Sequence, residues 1–347
     1  MNLEERILSF SALGQILRES LEGRKGKYTG SLNNLINTQC LKNPWFIPDN
    51  VRMAVGAIAE ELTFENLSKW LSSYPEANDP GMPLNVAVVM AGNVPLVGFH
   101  DFISVLITGN NILAKPSSKD PDLIKFVADI LTDINPRFED SIKFTDSYLK
   151  NFDAVIATGS NNSSRYFDYY FGKYPHIIRK TRNGVAVIRG DESDDEILNL
   201  GKDIFSYFGL GCRSVSKVFI PEGYEPDILS AHWAEFADII NHSKYANNYD
   251  YNKALYLVNR EPFKDTGYIL LKENEELSSP VAVLYYEYYK KFRELNKRLE
   301  TLKDKIQCVI DRKHVPFGKA QSPRLWDYAD GIDTIEFLSK KKLTGLL

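Results

Sequence analysis

The chain has 347 residues, enough for two domains and a large core. It is 44% hydrophobic and 25% charged with a net charge of −4, the balance of a globular protein. No long basic block marks a nucleic-acid footprint, and no apolar run approaches the ~20 residues needed to span a membrane. The acidic opening MNLEERIL lacks the basic and apolar regions of a signal peptide. Residues 2–22 follow as an amphipathic helix, with Leu3, Ile7, Phe10, Leu13, Leu17 and Leu21 at threes and fours. Further helices are expected over 49–61 and 63–73, with Asp49 and Thr63 as N-caps, before a Pro- and Asn-containing loop from Tyr74 to Pro83.

From Asn85 the texture changes to short apolar strands alternating with helices. Strands are expected at Val86–Met90, Ile112–Lys115 and Ala154–Thr158, and helices at Leu96–Leu106, Asp122–Leu131 and Asn162–Phe171. That order implies a parallel α/β sheet covered on both faces. Val185–Ile188 is a further strand, and the acidic run DESDDE opens a helix, where negative charge suits the N-terminal dipole. Val215–Ile220, Pro280–Tyr285 and Gln307–Ile310 read as strands. Between the last two, Tyr288, Phe292, Leu295, Leu299, Leu302 and Ile306 fall on one face of a charged helix. The tail, FGKAQSPRLWDYADGIDTIEFL, reads as irregular with a final strand or turn.

The three cysteines, Cys40, Cys212 and Cys308, are far apart and odd in number, which fits a reducing cytoplasm. None stands at zinc-ligand spacing from the five histidines, so no metal site is expected. Cys212 lies in FSYFGLGCRSVSKVFI, directly after Gly211, on a glycine turn between a helix and a strand. Such a turn exposes a thiol to a substrate, although most free cysteines are simply small buried apolar residues. Five other positions carry the same ambiguity. Asn93 follows Gly92 as a turn residue, and Lys115 ends a strand where a lysine is ordinarily solvated. Gly159 and Ser160 open a helix, which serves either as a plain cap or as a phosphate site. Glu276 stands beside Glu273 and Glu275 and reads equally as surface charge.

Several segments, in order, resemble the aldehyde dehydrogenase superfamily. AGNVPLVGF (91–99) is similar to its PWNFPL segment, and ITGNNILAKPSSKDP (107–121) to its AxGNxVVxKPSExxP segment. ATGS (157–160) resembles its FTGS turn, GLGC its GQxC nucleophile motif, and ELSSPVAV (276–283) its ExFGPV motif. FGLGCRSVSKVFIP and the tail FGKAQSPRLWDYADGIDTIEFLS are closest to the acyl-CoA reductase branch, which includes the subunit making fatty aldehyde for bacterial luciferase. The resemblance implies an aldehyde dehydrogenase-like α/β fold, shortened, with two Rossmann-like parallel-sheet domains and a helical N-terminal segment. The expected division is 1–200 for the helical segment with the dinucleotide-binding domain, 201–315 for the catalytic domain, and 316–347 for a segment returning to the body.

By this resemblance Cys212 is the nucleophile, and Asn93 donates its amide to the developing oxyanion together with the Cys212 N–H. Lys115 would hold the adenine ribose hydroxyls, Gly159 and Ser160 the pyrophosphate, and Glu276 the nicotinamide ribose. Two departures matter. An ungapped placement of RKTRNGVAVI puts Arg179 where hydrolytic members carry the glutamate base of ELGG, so water attack on a thioacyl enzyme should be slow. Ser118 stands where NAD-preferring relatives carry the glutamate of KPSE, which permits either cofactor. FGP has also become Ser278-Ser279-Pro280.

The implied function is reduction of an acyl-CoA, a fatty acyl thioester on family grounds, to the aldehyde with NADPH (or NADH). Two alternatives stay open: an acyl-phosphate reductase of the glutamyl phosphate reductase type, and a non-catalytic acyl carrier or interaction subunit. The expected partners are a small acyl thioester, with an acyl-transferring protein and a homo-oligomer left open, and neither nucleic acid nor a membrane span. The expected location is cytoplasmic.

Overall fold

The computed structural model describes residues 1–78 and 81–339. Asp79 and Pro80 of the expected 74–83 loop, and 340–347 of the expected C-terminal segment, lie outside the described residues. The chain forms two compact units, Met1–Lys180 with Arg324–Leu347, and Thr181–Pro323.

The first unit opens with α1 (Leu3–Leu21), α2 (Thr29–Lys42), α3 (Pro48–Glu61) and α4 (Phe64–Leu71). Asn2 and Glu5 form a reciprocal capping box at the start of α1. Its expected stripe is buried: Phe10, Leu13 and Leu17 are at most 1% exposed. Thr63 caps α4 by accepting from the Asn66 N–H, as its sequence position suggests. The cap of α3 is Ile47 rather than Asp49, because Pro48 takes the first helical position, where its missing N–H costs nothing.

The sheet of this unit is made of β1 (Asn85–Val89), β2 (Asn111–Lys115), β3 (Ile142–Phe144), β4 (Ala154–Thr158) and β5 (His176–Arg179). Its order is β3-β2-β1-β4-β5 with every pairing parallel. The crossovers carry α5 (Phe99–Ile107), α6 (Leu123–Ile134) and α7 (Asn161–Phe171). The strand order reverses between β1 and β4, and in such open sheets ligands bind beyond the carboxyl ends of the strands at that point. All of α5 except His100 is buried, as expected for a helix apolar on nearly every side.

The second unit carries β6 (Asn183–Val187), α8 (Asp194–Phe205), β7 (Val215–Pro221), α9 (Pro226–Ala231), α10 (Ser243–Asn259), β8 (Lys264–Asp265), β9 (Leu270–Glu273), β10 (Val283–Tyr289), α11 (Phe292–Thr301) and β11 (Ile306–Ile310). Its sheet runs β11-β6-β7-β10-β9-β8, parallel except for β8 against β9. Ser193 and Glu196 form the capping box of α8 within the acidic run. The helix face expected from Tyr288 to Ile306 is shorter than its periodicity. Tyr288 belongs to β10, paired with Ile220, and Ile306 starts β11.

The chain then returns to the first unit and ends its described part in α12 (Thr334–Leu338). A helix here replaces the expected strand or turn. Asp333 accepts from the Glu336 N–H at 2.8 Å, and Thr334, Ile335 and Leu338 are buried, so a capped single turn satisfies both backbone and core. No helix among the described residues is long and apolar enough to cross a membrane.

Candidate active site

Five of the residues singled out in the sequence lie beyond the carboxyl ends of β1, β2 and β4. Asn93 is exposed in the loop after β1, Lys115 ends β2, and Ser118 is exposed in the next turn. Gly159 and Ser160 link β4 to α7. The two motif loops after β1 and β2 are packed into each other. A Cβ on Gly92 would meet Ser117 Oγ at 2.5 Å and Lys119 Cβ at 3.1 Å, so only glycine permits this approach. Asp120 Oδ2 accepts the Leu96 N–H at 2.8 Å, holding Leu96 at φ 56 where the Asn93 loop turns into α5. This is why α5 begins at Phe99 and not at Leu96. Burial pushes the Asp120 carboxyl up to about 6.

Lys115 Nζ donates to the Ser147 carbonyl at 3.0 Å, which fixes the amine at the strand end. Ser160 caps α7 through its hydroxyl on the Ser163 N–H at 3.3 Å. A Cβ at Gly159 would strike Phe167 and Ser163 at 2.8 Å, so only glycine lets the strand-to-helix turn pack this closely against those two side chains.

In the second unit α8 ends at Phe205, and the chain passes through Tyr207 (φ 53), Phe208 (φ 59) and Gly209 (φ 74), three consecutive left-handed residues. Two of these carry bulky side chains, a conformation costing roughly 1–3 kcal/mol each that persists only where the surroundings impose it. Phe208 is held by stacking on His242 at 4.3 Å and by Tyr245 at 6.1 Å. Cys212 follows, half-buried, and β7 begins at Val215. The next turn is closed by Ser214, whose N–H donates to the Gly211 carbonyl at 3.0 Å and whose hydroxyl accepts the Gly211 N–H at 3.3 Å.

Glu276 is exposed in the loop between β9 and β10. That loop is anchored on β7, the strand that the Cys212 turn leads into. Ser216 Oγ donates to the Leu277 carbonyl at 2.7 Å, and Lys217 Nζ to the Asn274 carbonyl at 2.7 Å. Lys217 is fully buried and paired with Glu287, which also pairs with Arg298; burial holds the lysine below its ordinary range. The Ser279-Pro280 stretch and the left-handed segment meet around one pocket within this unit, lined by Phe208, Gly209, Val215, Tyr245, Ile269 and Pro280 among others.

Arg179 ends β5, 4% exposed. Its guanidinium grips Asp101 of α5 through Nη2 at 2.7 Å and Nε at 3.4 Å, and also donates to the Ala329 carbonyl and to Thr334 Oγ1. No free carboxylate results at this position.

Sequence reasoning passed over Asp120, Asp203, Arg213, Ser214, Lys217 and Gln321, which orient the motif residues without resembling chemistry themselves. One signal was legible. Asp203 stands three residues after Leu200 on the apolar face of α8, and a carboxylate there requires donors from elsewhere in the fold.

The sequence pattern of the acyl-CoA reductase (LuxC) family matches residues 58–240. Comparison with curated protein sequences gives no match. Among solved structures, aldehyde dehydrogenase 21 from Physcomitrella patens, in complex with succinate, aligns over 90% of this chain and 74% of its own, with 13% identity and a TM-score of 0.64. An aldehyde dehydrogenase from Bacillus cereus in complex with NAD+ aligns over 90% and 72%, with 14% identity and a TM-score of 0.61. One from Mycobacterium tuberculosis complexed with NAD+ aligns over 85% and 70%, with 14% identity and a TM-score of 0.61. At these identities the likeness is one of fold.

Proposed function

The chain belongs to the acyl-CoA reductase (LuxC) family, and we propose on that premise that it reduces a fatty acyl-CoA thioester to the aldehyde with NADPH. The observation that carries the reading is the Cys212 turn, a half-buried thiol set after three left-handed residues and closed by Ser214.

In this reading the Cys212 thiolate attacks the thioester carbonyl carbon. A new S–C bond forms, the bond to the CoA sulfur breaks, and CoA departs as its thiol after taking up a proton. The former carbonyl oxygen gains negative charge on the way. Asn93 and the Cys212 N–H are its donors by family resemblance, each worth ~3 kcal/mol in the transition state. The nicotinamide cofactor, when bound, supplies a hydride to the thioacyl carbon. The residues that would hold it are Lys115, Ser118, Gly159 and Ser160, with Glu276 toward the nicotinamide ribose. They fit the group in one respect: the α7 N-terminus follows β4 at the carboxyl edge of the sheet, beside the β1/β4 reversal. The resulting thiohemiacetal on Cys212 collapses, releasing aldehyde and restoring the thiolate.

Hydrolysis is disfavoured because Arg179 and Asp101 neutralise each other and leave no general base at the position of the family glutamate. The test is NADPH consumption across acyl-CoA chain lengths, with CoA thiol release followed in parallel. Equal rates of the two support the reading. NADPH oxidation with acyl phosphates alone would assign an acyl-phosphate reductase, and no saturable NADPH binding would assign a carrier.

A further inference from the structure

The segment 317–321 belongs to the tail whose sequence is distinctive, yet the reaction scheme gives it no task. It lies more than a hundred residues from Cys212 along the chain and is folded onto the Cys212 turn. Asp203, 1% exposed on α8, accepts the Gly318 N–H at 2.6 Å and the Ala320 N–H at 2.9 Å, one on each carboxylate oxygen. Gly318 is at φ 80, and a Cβ there would meet Asn199 Cβ at 3.1 Å, so glycine is needed for the segment to reach α8. Ala320 is fully buried, and its carbonyl accepts Arg213 Nε at 2.5 Å. Gln321 Nε2 donates to Ser214 Oγ at 3.1 Å, the same hydroxyl that accepts the Gly211 N–H. The segment therefore holds Arg213 directly and reaches Gly211 through Ser214, gripping the residues on both sides of Cys212.

The turn is also packed against the sheet. A Cβ on Gly184 of β6 would lie 2.5 Å from the Arg213 carbonyl oxygen and 2.7 Å from that of Ser214. Cys308 Sγ of β11 donates to the Arg213 carbonyl at 3.7 Å. The turn is therefore packed against β6 and β11 as well as held by the 317–321 segment.

We propose that the 317–321 segment is the positioning brace of the nucleophile, with Asp203 as its anchor and Arg213 and Gln321 as its points of contact. Asp203 and Gln321 are positioning residues: Asp203 holds the segment, and Gln321 touches the turn through Ser214. The inference rests on Cys212 being the acylated residue. Misplacement of a nucleophile by about 1 Å costs on the order of 10²-fold in rate while leaving remote binding intact. Loss of the brace should therefore act on acylation and not on cofactor affinity.

The experiment measures the acylation burst, CoA release without NADPH, in wild type, Gln321→Ala, Asp203→Asn, Asp203→Glu and Cys212→Ala. Acyl-CoA KM, NADPH binding by fluorescence, and thermal unfolding are followed alongside. Gln321→Ala should slow the burst about 10-fold and Asp203→Asn about 100-fold, with KM and NADPH affinity unchanged, and Asp203→Glu should recover part of the loss. Gln321→Ala removes a half-buried contact and no charge, so it decides the matter if Asp203→Asn fails to fold. Wild-type burst rates in a folded Gln321→Ala, or parallel losses in NADPH affinity, overturn the brace. An undiminished burst in Cys212→Ala overturns the nucleophile assignment itself.

Discussion

Arg179 and Asp101 form a bidentate ion pair, 2.7 Å at its shorter contact, with both side chains less than a tenth exposed. The pair ties the end of β5 to α5, and through Ala329 and Thr334 it ties both to the C-terminal segment. Breaking one partner of a buried pair costs about 3–5 kcal/mol, because the other charge stays buried without compensation. Arg179→Glu should therefore destabilise the first unit by at least that amount, since it sets a second carboxylate against Asp101. It should not convert the enzyme into a thioester hydrolase, because the new carboxylate arrives in a structural socket. Urea unfolding and acyl-CoA hydrolysis without NADPH check the two halves. A stable, hydrolytic Arg179→Glu would show that this position faces the acyl group.

The nucleophile and the oxyanion donor should separate kinetically. Cys212→Ala should abolish aldehyde formation and covalent labelling by radioactive acyl-CoA, yet keep NADPH binding. Asn93→Ala should lower kcat by on the order of 10²-fold with little change in KM, because the charge it serves exists only in the transition state. A pure KM effect would instead assign Asn93 to binding.

Much of the fold was legible because its elements are periodic. The β1–α5–β2–α6 and β4–α7 alternation, and the helix-to-strand turn at Cys212, follow from apolar spacing and glycine placement. What was not legible has physical reasons. In α2 only Leu32, Ile36 and Gln39 are buried, too sparse a stripe to announce itself. In α10 the buried positions are Tyr245, Tyr249, Asn252 and Tyr256, correctly spaced for a helix but carried by tyrosine and asparagine, which seldom count as core. The three-residue β3 and four-residue β5 are too short for any alternation to show. Near Tyr288 the spacing of fours and threes suited a helix, and strand pairing with β7 prevailed. The motif residues of the candidate site were found by resemblance. The groups that orient them were not, since the contacts Asp203 to Gly318 and Gln321 to Ser214 join positions over a hundred residues apart.

Stability should carry a pH signature from two buried carboxyls. Burial pushes Asp120 and Asp203 up to about 6; Asp122 adds to the shift on Asp120, while Arg213 and Lys202 moderate that on Asp203. Unfolded, each ionises near ~4. Between about 4 and 6 the folded chain keeps protons that the unfolded chain has released, so stability falls as pH rises through that window and levels off above it. His100, buried and held below its ordinary range, opposes this, because the unfolded imidazole takes up a proton that the folded one refuses. The clean readout is the difference between Asp120→Asn and wild type. That difference should move in favour of the variant by on the order of 2 kcal/mol between pH 4 and pH 7. A difference that does not change with pH would mean Asp120 titrates normally.

Cofactor choice should depend on Ser118. Ser118 is exposed in the turn after β2, beside exposed Lys119, and Lys119 is oriented by its N–H on Ser117 Oγ at 3.2 Å. In the family resemblance this position lies at the 2′ side of the adenine ribose. A carboxylate there accepts a 2′-hydroxyl and repels a 2′-phosphate, whereas serine removes the repulsion and Lys119 supplies a counter-charge. Because the position is open to water, the effect is set by screened charges: about 1 kcal/mol at contact distance, and somewhat more against a doubly charged phosphate. NADPH should therefore be used at least as well as NADH. Ser118→Glu should shift the kcat/KM ratio toward NADH by about 10-fold, and Lys119→Ala should shift it the same way by less. Both changes should appear in cofactor KM with kcat nearly constant, since the hydride leaves from the far end of the molecule. Raising the ionic strength should shrink both shifts, as expected for exposed charges. A wild type that strongly prefers NADH, or a Ser118→Glu variant with undiminished NADPH affinity, would place the 2′ position elsewhere on this edge of the sheet.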